Sequence, residues 1–247
     1  MTTADTLRTG QASHRLMRDI ENKTGRKPGI QSEIGLVIIR RALNKFLPDD
    51  EASMIYKDRI LPATRLILFL DEISEKDDGN SNAIQTLNLK GFPDSFKEGL
   101  TKVWEAMKGE KEAFLTNDPV RYLEVSSVSS SFDLIMEFAF DFTTTFSPED
   151  LITMRNIFRI FSDASTIGKD IKHGTPNVFL IEGVDRENIL RGANDQLEVL
   201  VNKNPTDNLA KVGIEILSSL QEIYYYKTTK NILFWGIGFF LRKYYPV

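Results

Sequence analysis

The amino-acid sequence predicts an all-α protein built as a single helical bundle. Apolar residues recur at helical spacing over long segments, and clear helix start signals precede several of them. No stretch of convincing length alternates between apolar and polar residues as a strand would. The chain has 247 residues, of which 41% are hydrophobic and 27% charged, so it can bury a substantial core. We therefore expect one all-α domain over residues 1–247, with roughly eight to ten helices.

Helix and turn signals divide the N-terminal half of the chain. Pro48 ends one predicted helix, and Pro62 is expected to interrupt or kink the next, because proline lacks the amide hydrogen that a helix interior needs. The segments are a helix over residues 12–23, a turn over 24–29, a buried helix over 34–46 and a helix from about residue 52 to the acidic residues near 75.

The C-terminal half carries further apolar segments at helical spacing. Ser147 and Pro148, followed by two acidic residues, form a strong helix start. The serine-rich run 126–131 interrupts one segment, either as a helix break with close packing or as room for a ligand. The predicted helices cover residues 96–107, 122–142, 151–166, 185–201, 209–226 and 231–245.

Composition excludes several classes of function. The net charge of −4 and the absence of a basic stripe give no reason to expect nucleic-acid binding. The chain has no cysteine, which removes disulfides, thiolate metal sites and cysteine nucleophiles, and its two histidines are too few for a histidine-rich zinc site. We expect no signal peptide and no membrane-spanning helix, and hence a cytoplasmic protein.

Four acidic residues follow the apolar run that ends at Leu70, at positions 71, 72, 75 and 78. On a helix, Asp71 and Glu75 lie on the same face one turn apart. Carboxylates gathered in this way repel one another unless a cation lies between them, and Mg²⁺ is commonly held by one or two carboxylates together with substrate phosphates. The alternative is an ordinary solvated acidic surface.

A second group of oxygen-bearing side chains occurs in residues 161–177. Ser162, Thr166 and Asp170 are spaced by four and would share a helical face if the helix continues through them. Lys169 lies beside them and could contact a phosphate oxygen as a point charge. Two such groups, each at the end of an apolar helix, predict a magnesium and diphosphate site.

The two motifs resemble those of the class I isoprenoid synthases. Residues 71–75, Asp-Glu-Ile-Ser-Glu, are similar to that family's first metal-binding motif. Residues 162–170 with Gly174 and Asn177 are similar to its second motif, except that Ser162 replaces the usual Asn or Asp. Within the family, the resemblance is nearest to the prenyltransferases of moenomycin biosynthesis, over the turn at 24–28 and residues 69–79, 122–131 and 163–177.

The resemblance implies an all-α fold with a central cavity and a homodimer. It implies that Mg²⁺ assists the loss of diphosphate from a geranyl-like allylic donor. A double bond of a prenyl acceptor then attacks the allylic cation, and the acceptor would be a lipid phosphate such as a farnesyl-phosphoglycerate in phosphoglycolipid antibiotic biosynthesis. Apolar and aromatic walls would shield the cation from water.

Each role is carried over to this chain residue by residue. Asp71 and Lys169 are expected to be catalytic. The expected metal ligands are Asp71, Glu72, Glu75, Asp163, Thr166 and Asp170, and the expected substrate-binding residues are Arg121, Ser126, Lys169, Phe69 and Phe161. For any single aromatic residue, a place in the ordinary core is the alternative.

Two other functions stay open. A class I terpene cyclase is one, but cyclases carry a diphosphate-sensing arginine near the position of Ser126, and Arg121 is the nearest arginine here. An inactive family member that acts as a partner subunit or lipid carrier is the other, suggested by Ser162 and the missing arginine. The apolar segment 231–241, with aromatic and basic flanks, suits either a helix at a membrane surface or the last helix of the bundle.

Overall fold

A computed structural model of the chain describes residues 30–74, 83–140, 146–203 and 205–228 together with Arg18 and Asn22. This part of the chain contains helices and no strand, which confirms the predicted all-α class. The helix predicted over 12–23, the turn over 24–29 and the segment 231–245 lie outside the described residues.

Long α-helices make up most of the described chain, joined by short turns. The helices are α1 (Ile30–Phe46), α2 (Asp49–Ile55), α3 (Leu61–Ser74), α4 (Asp94–Leu115), α5 (Pro119–Ser129), α6 (Phe132–Phe140), α7 (Pro148–His173), α8 (Arg186–Asn202) and α9 (Asn208–Thr228). A π-helical turn, Tyr56–Ile60, joins α2 to α3, and short 3₁₀ turns cover Ala83–Thr86 and Val178–Leu180.

The interruption predicted at Pro62 is a π-helical turn that ends two residues before it. Pro62 is the second residue of α3, directly after the turn Tyr56–Ile60. A proline ring collides with the carbonyl four residues earlier in a regular α-helix, and the wider π turn relieves that crowding. The chain from Asp49 to Ser74 therefore stays helical through a proline.

The serine-rich run is a helix break, as one of its two interpretations predicted. Helix α5 ends at Ser129, and α6 begins at Phe132. Ser131 between them has a φ of 56°, in the left-handed region that ends a helical path. Ser126, Ser127 and Ser131 are buried, so the small side chains allow the two helices to meet closely inside the fold.

Helix α7 begins as the sequence predicts and is longer than expected. The side chain of Ser147 accepts a hydrogen bond from the amide of Asp150, and Pro148 occupies the first turn. The predicted end near Thr166 is wrong, because the helix continues to His173 and ends at Gly174, whose φ is 64°. Residues 162–170 of the second motif are therefore all helical.

Helix α7 lies at the centre of the described bundle. It packs against α5, α6, α8, α9 and the Val178–Leu180 turn. The largest apolar cluster joins residues of α1, α2, α6, α7, α8 and α9, and a second cluster joins α3, α4 and α6. None of the helices in the described part of the chain has the length and apolar character needed to cross a membrane.

Candidate functional site

The last turns of α7 bring two residues of the second motif into contact. Thr166 donates a hydrogen bond from its hydroxyl to Oδ2 of Asp170, which lies four residues later on the same face. Asp170 is 6% exposed. The predicted shared face of Thr166 and Asp170 is confirmed, since the two side chains are in direct contact, and Ser162 on the same side is half-buried.

Asn177 returns to this face after the helix ends. The left-handed turn at Gly174 reverses the chain, and Nδ2 of Asn177 then donates 2.8 Å hydrogen bonds to Oδ2 of Asp170 and to the main-chain oxygen of Asp163. Its Oδ1 accepts from the amide of Phe179, which caps the Val178–Leu180 turn. Asn177 is fully buried. A single amide therefore fixes both the end of α7 and the turn that follows.

The two oxygens of Asp170 differ in their surroundings. Oδ2 receives hydrogen bonds from both Thr166 and Asn177. Oδ1 receives none from the described residues. Carboxylates that bind metal ions are commonly oriented by hydrogen bonds from neighbouring side chains. The hydrogen bonds to Oδ2 of Asp170 match that arrangement, with Oδ1 as the oxygen that would bind the cation.

Asp163 is instead saturated by contacts within the protein. Its side chain is 4% exposed, and Nε of Arg159 lies 2.8 Å from its Oδ1. The N–H of that nitrogen does not point at the oxygen, so the contact is an ion pair without hydrogen-bond geometry. Oδ2 accepts a 2.9 Å bond from the amide of Val178 and a 3.4 Å bond from the hydroxyl of Tyr122.

Arg159 joins Asp163 to a second carboxylate on α4. Its Nη2 donates to Glu110 and to the hydroxyl oxygen of Tyr122, and its guanidinium lies 5.5 Å from the centre of the Tyr122 ring. Ser129 donates a 2.6 Å bond to the other oxygen of Glu110. One arginine thus links α4, α5 and α7 through a buried charge network made of Glu110, Tyr122, Arg159 and Asp163, called the Arg159 network below.

Burial controls the pKa values in the Arg159 network. Burial raises the pKa of Asp163 to about 7, although Arg159 and the Val178 amide oppose the shift. Burial also raises the pKa of Tyr122 well above its usual range, so the phenol stays protonated and can donate. Burial lowers the pKa of Arg159, but the Asp163 and Glu110 carboxylates outweigh it and the net pKa lies above its ordinary value.

The first acidic motif is only partly described. Asp71 lies in the last part of α3 with an exposed side chain, and its main-chain oxygen accepts a hydrogen bond from Ser74. Glu72 is helical, but its side chain lies outside the described residues, as does all of Glu75. No group of three acidic or histidine side chains that could hold a metal occurs in the described part of the chain. Magnesium binding therefore stays a prediction.

The structure separates the remaining site residues by burial. Lys169 is exposed on α7, while Phe161 lies in the main core and is 1% exposed. Phe69 is half-buried on α3. Ser126 is fully buried, and its hydroxyl oxygen has no hydrogen-bond partner. Phe161 occupies the ordinary core position that was its alternative interpretation, and a substrate role for any of these residues stays a prediction.

Arg121 lies in an open groove between α4 and α5. The groove has a volume of about 400 Å³, and Arg121 pairs there with Glu124 at 3.4 Å. The charged side chains of its lining are Lys102, Glu105, Glu112, Arg121 and Glu124, so acidic groups outnumber basic ones. That balance does not favour a diphosphate in this groove. The predicted central cavity stays a prediction.

Comparisons with known proteins add no family assignment. A scan against protein-family models and searches of curated proteins and of solved structures found no match to this chain. The resemblance to isoprenoid synthases therefore depends on the motif residues themselves, and on the all-α class that the fold shares with that family.

Sequence reasoning missed the Arg159 network. The spacing of Arg159 and Asp163 by four residues was a local signal, because such pairs meet on one helix face. Glu110 gave no signal, since it lies 49 residues before Arg159 and on another helix.

Proposed function

We propose that this protein is a Mg²⁺-dependent prenyltransferase, which transfers an allylic prenyl group from a prenyl diphosphate to a prenyl-chain acceptor that carries a phosphate. One observation carries the proposal. Asp170 is buried and held through Oδ2 by Thr166 and Asn177, while Oδ1 receives no hydrogen bond from the described residues. Thr166, Asp170 and Asn177 are three positions of the second motif.

Side chains of two helices, α3 and α7, would bind the cation and the diphosphate. On α7, Asp170 and Thr166 offer oxygen atoms to a cation, and exposed Lys169 can pair with a phosphate oxygen. On α3, Asp71 presents an exposed carboxylate. Mg²⁺, when bound, offsets the negative charge of the departing diphosphate. Half-buried aromatic side chains such as Phe69 would exclude water from the allylic cation.

Asp163 plays a positioning part in this proposal and is the weakest of the metal-ligand predictions. Both of its oxygens already have partners in Arg159, Val178 and Tyr122. It fixes the middle of α7 against α5 and the Val178–Leu180 turn, so that the next two turns present Thr166 and Asp170 in a defined register.

Product analysis tests the proposal directly. The purified chain is incubated with Mg²⁺, geranyl and farnesyl diphosphates, and a farnesyl-phosphoglycerate acceptor. A longer prenyl chain on the acceptor supports transfer. A hydrocarbon or alcohol product would show cyclisation, and would replace the transfer proposal with a terpene cyclase.

A lipid carrier or partner subunit is the second candidate, and the saturation of Asp163 favours it. If Asp163 is a required ligand in this fold, the ion pair with Arg159 makes it a poor one, because a cation would have to displace a buried arginine. Retained binding of a fluorescent prenyl phosphate without any turnover, in the presence of Mg²⁺, would support this candidate and overturn the first.

A further inference from the structure

Two half-buried side chains on α1 have buried polar atoms without hydrogen-bond partners. Nη1 of Arg40 and both Nδ2 and Oδ1 of Asn44 are buried, and none of them has a hydrogen-bond partner. Arg40 and Asn44 are four residues apart on one helix, so they lie on the same face. Leu36 and Leu43 of the same helix are almost completely buried, which places this face against the core.

Arg40 differs from Arg155 and Arg159, two other half-buried arginines of the described chain. Arg155 pairs with Asp133, and Arg159 pairs with Glu110 and Asp163. Arg40 has no carboxylate partner among the described residues, and its guanidinium carbon lies 5.5 Å from the centre of the Tyr56 ring. A buried guanidinium nitrogen without a hydrogen bond is costly, and proteins keep such groups chiefly where a ligand or water completes them.

The backbone beneath Arg40 is also unusual. Tyr56 opens the π-helical turn between α2 and α3, and it is 3% exposed. Single π turns inside α-helices occur frequently at functional sites, because the extra residue shifts a side chain out of the regular register. Here the first residue of the turn, Tyr56, is the one whose ring faces the guanidinium of Arg40.

We propose that Arg40 and Asn44 bind a phosphate monoester. Nη1 of Arg40 and Nδ2 of Asn44 donate to its anionic oxygens, and Oδ1 of Asn44 accepts from its hydroxyl. A phosphate monoester supplies both functions near neutral pH, since its second pKa is about 6 and part of it still carries a proton. Sulfate supplies only acceptors. The inference does not depend on the prenyltransferase proposal.

Thermal unfolding in three anions tests the site. The full chain is melted in sodium chloride, sodium sulfate and sodium phosphate at pH 6.5 and equal ionic strength. A ligand at about a hundredfold excess over Kd raises the Tm of a domain of this size by roughly 5–10 °C. We expect that rise in phosphate. Sulfate stabilises proteins by exclusion from their surface, so an equal rise in sulfate would overturn the proposal.

Matched variants assign the effect to these residues. Arg40→Met removes the guanidinium and keeps an unbranched apolar stem, and it should abolish the rise in phosphate without lowering the Tm in chloride. Arg191→Met is the control, because Arg191 is exposed on α8 and bonds to Asn188; it should keep the full rise. A rise in Arg40→Met equal to that of the wild type would contradict the site.

Asn44→Asp keeps the test decisive if Arg40→Met does not fold. It places a carboxylate one helical turn from the guanidinium, so the protein itself would supply the missing anion. We expect a Tm in chloride at or above the wild-type value and no further rise in phosphate. An unchanged phosphate response in Asn44→Asp would overturn the proposal as surely as an unchanged response in Arg40→Met.

Two sources of the phosphate monoester are separated by the choice of probe. Glycerol 3-phosphate represents a free metabolite, and dihexanoyl phosphatidic acid represents a lipid headgroup in soluble form. A response to inorganic phosphate and glycerol 3-phosphate assigns a free oxyanion, whereas a response to the phosphatidic acid alone assigns a lipid headgroup. No Arg40-dependent response to any of the three probes would overturn the proposal.

Discussion

The side-chain amide of Asn177 donates a 2.8 Å hydrogen bond to the carboxylate of Asp170, across the turn that ends α7. The same nitrogen donates to the main-chain oxygen of Asp163, and the amide oxygen accepts from Phe179. Since Asn177 is fully buried, these bonds form without competition from water. The orientation of Asp170 therefore depends on a residue outside its helix.

Replacing Asn177 tests that dependence. Asn177→Leu should lower the free energy of unfolding by about 2–4 kcal/mol, because it leaves buried donors and acceptors unsatisfied around a side chain of similar volume. Urea denaturation measures the change. Asn188→Leu is the control, because Asn188 is exposed on α8, and its change should be within about 1 kcal/mol. Equal losses of unfolding free energy in both variants would show that the buried hydrogen bonds of Asn177 stabilise the fold no more than the exposed ones of Asn188.

The Arg159 network predicts a large loss on removal of its cation. Arg159→Met leaves Glu110 and Asp163 buried without a counter-charge, so we expect a loss of about 3–5 kcal/mol in unfolding free energy. Arg121→Met removes an exposed arginine that is 3.4 Å from Glu124, and should cost about 0.5 kcal/mol or less. Chemical denaturation of both variants distinguishes a buried network from surface pairs; similar small losses would contradict the burial argument.

Asp163 predicts how stability depends on pH. Its folded pKa, about 7, lies above the ordinary aspartate pKa of 3.8, so between these two pH values the folded state binds the extra proton. The stabilisation is fully present below about pH 4 and is lost as the pH rises through 7. Asp163→Asn should remove this contribution, whose slope is at most about 1.4 kcal/mol per pH unit. Urea midpoints at several pH values measure it, and parallel profiles for the two proteins would contradict it.

Replacing two glycines by alanine should change the free energy of unfolding in opposite directions. Gly174→Ala should cost about 1 kcal/mol, because Gly174 has a φ of 64° and any side chain is strained there although the space around it is open. Gly192 lies inside α8, and a Cβ added there would meet no atom within 4 Å. Gly192→Ala should therefore raise the free energy of unfolding by about 0.5–1 kcal/mol through its higher helix propensity. Thermal unfolding of the pair gives the signs directly, and a gain at Gly174 would contradict the left-handed cap.

The catalytic proposal predicts which carboxylates turnover requires. Asp71→Asn and Asp170→Asn should lower turnover by several orders of magnitude, because each removes a proposed metal ligand. Asp71→Asn should also leave the fold intact, because the side chain of Asp71 is exposed on α3. Asp195→Asn on the exposed face of α8 is the control and should keep full activity. Circular dichroism checks the fold, and radiolabelled product measures turnover. Unchanged turnover in Asp71→Asn would show an ordinary solvated acidic surface.

Local sequence signals were accurate where a single helix decides the outcome. The Ser147 cap, the contact between Thr166 and Asp170 and the interruption near Pro62 all follow from residues within one or two turns of each other. The end of α7 was predicted near Thr166, whereas the helix continues through Gly168 to His173 and ends at the left-handed Gly174. A glycine inside a packed helix costs about 1 kcal/mol, which tertiary contacts easily outweigh.

By itself, the sequence determined the all-α class and placed Ser162, Thr166 and Asp170 along one side of a helix, because helical periodicity and capping are encoded by neighbouring residues. Only the tertiary structure decided which of the two carboxylates has both of its oxygens occupied by partners within the protein. Asp163 and Asp170 look alike in the sequence, but Tyr122 reaches Asp163 from 41 residues away and Asn177 orients Asp170. Hydrogen bonds between distant segments depend on how the helices pack, and no local pattern encodes that packing.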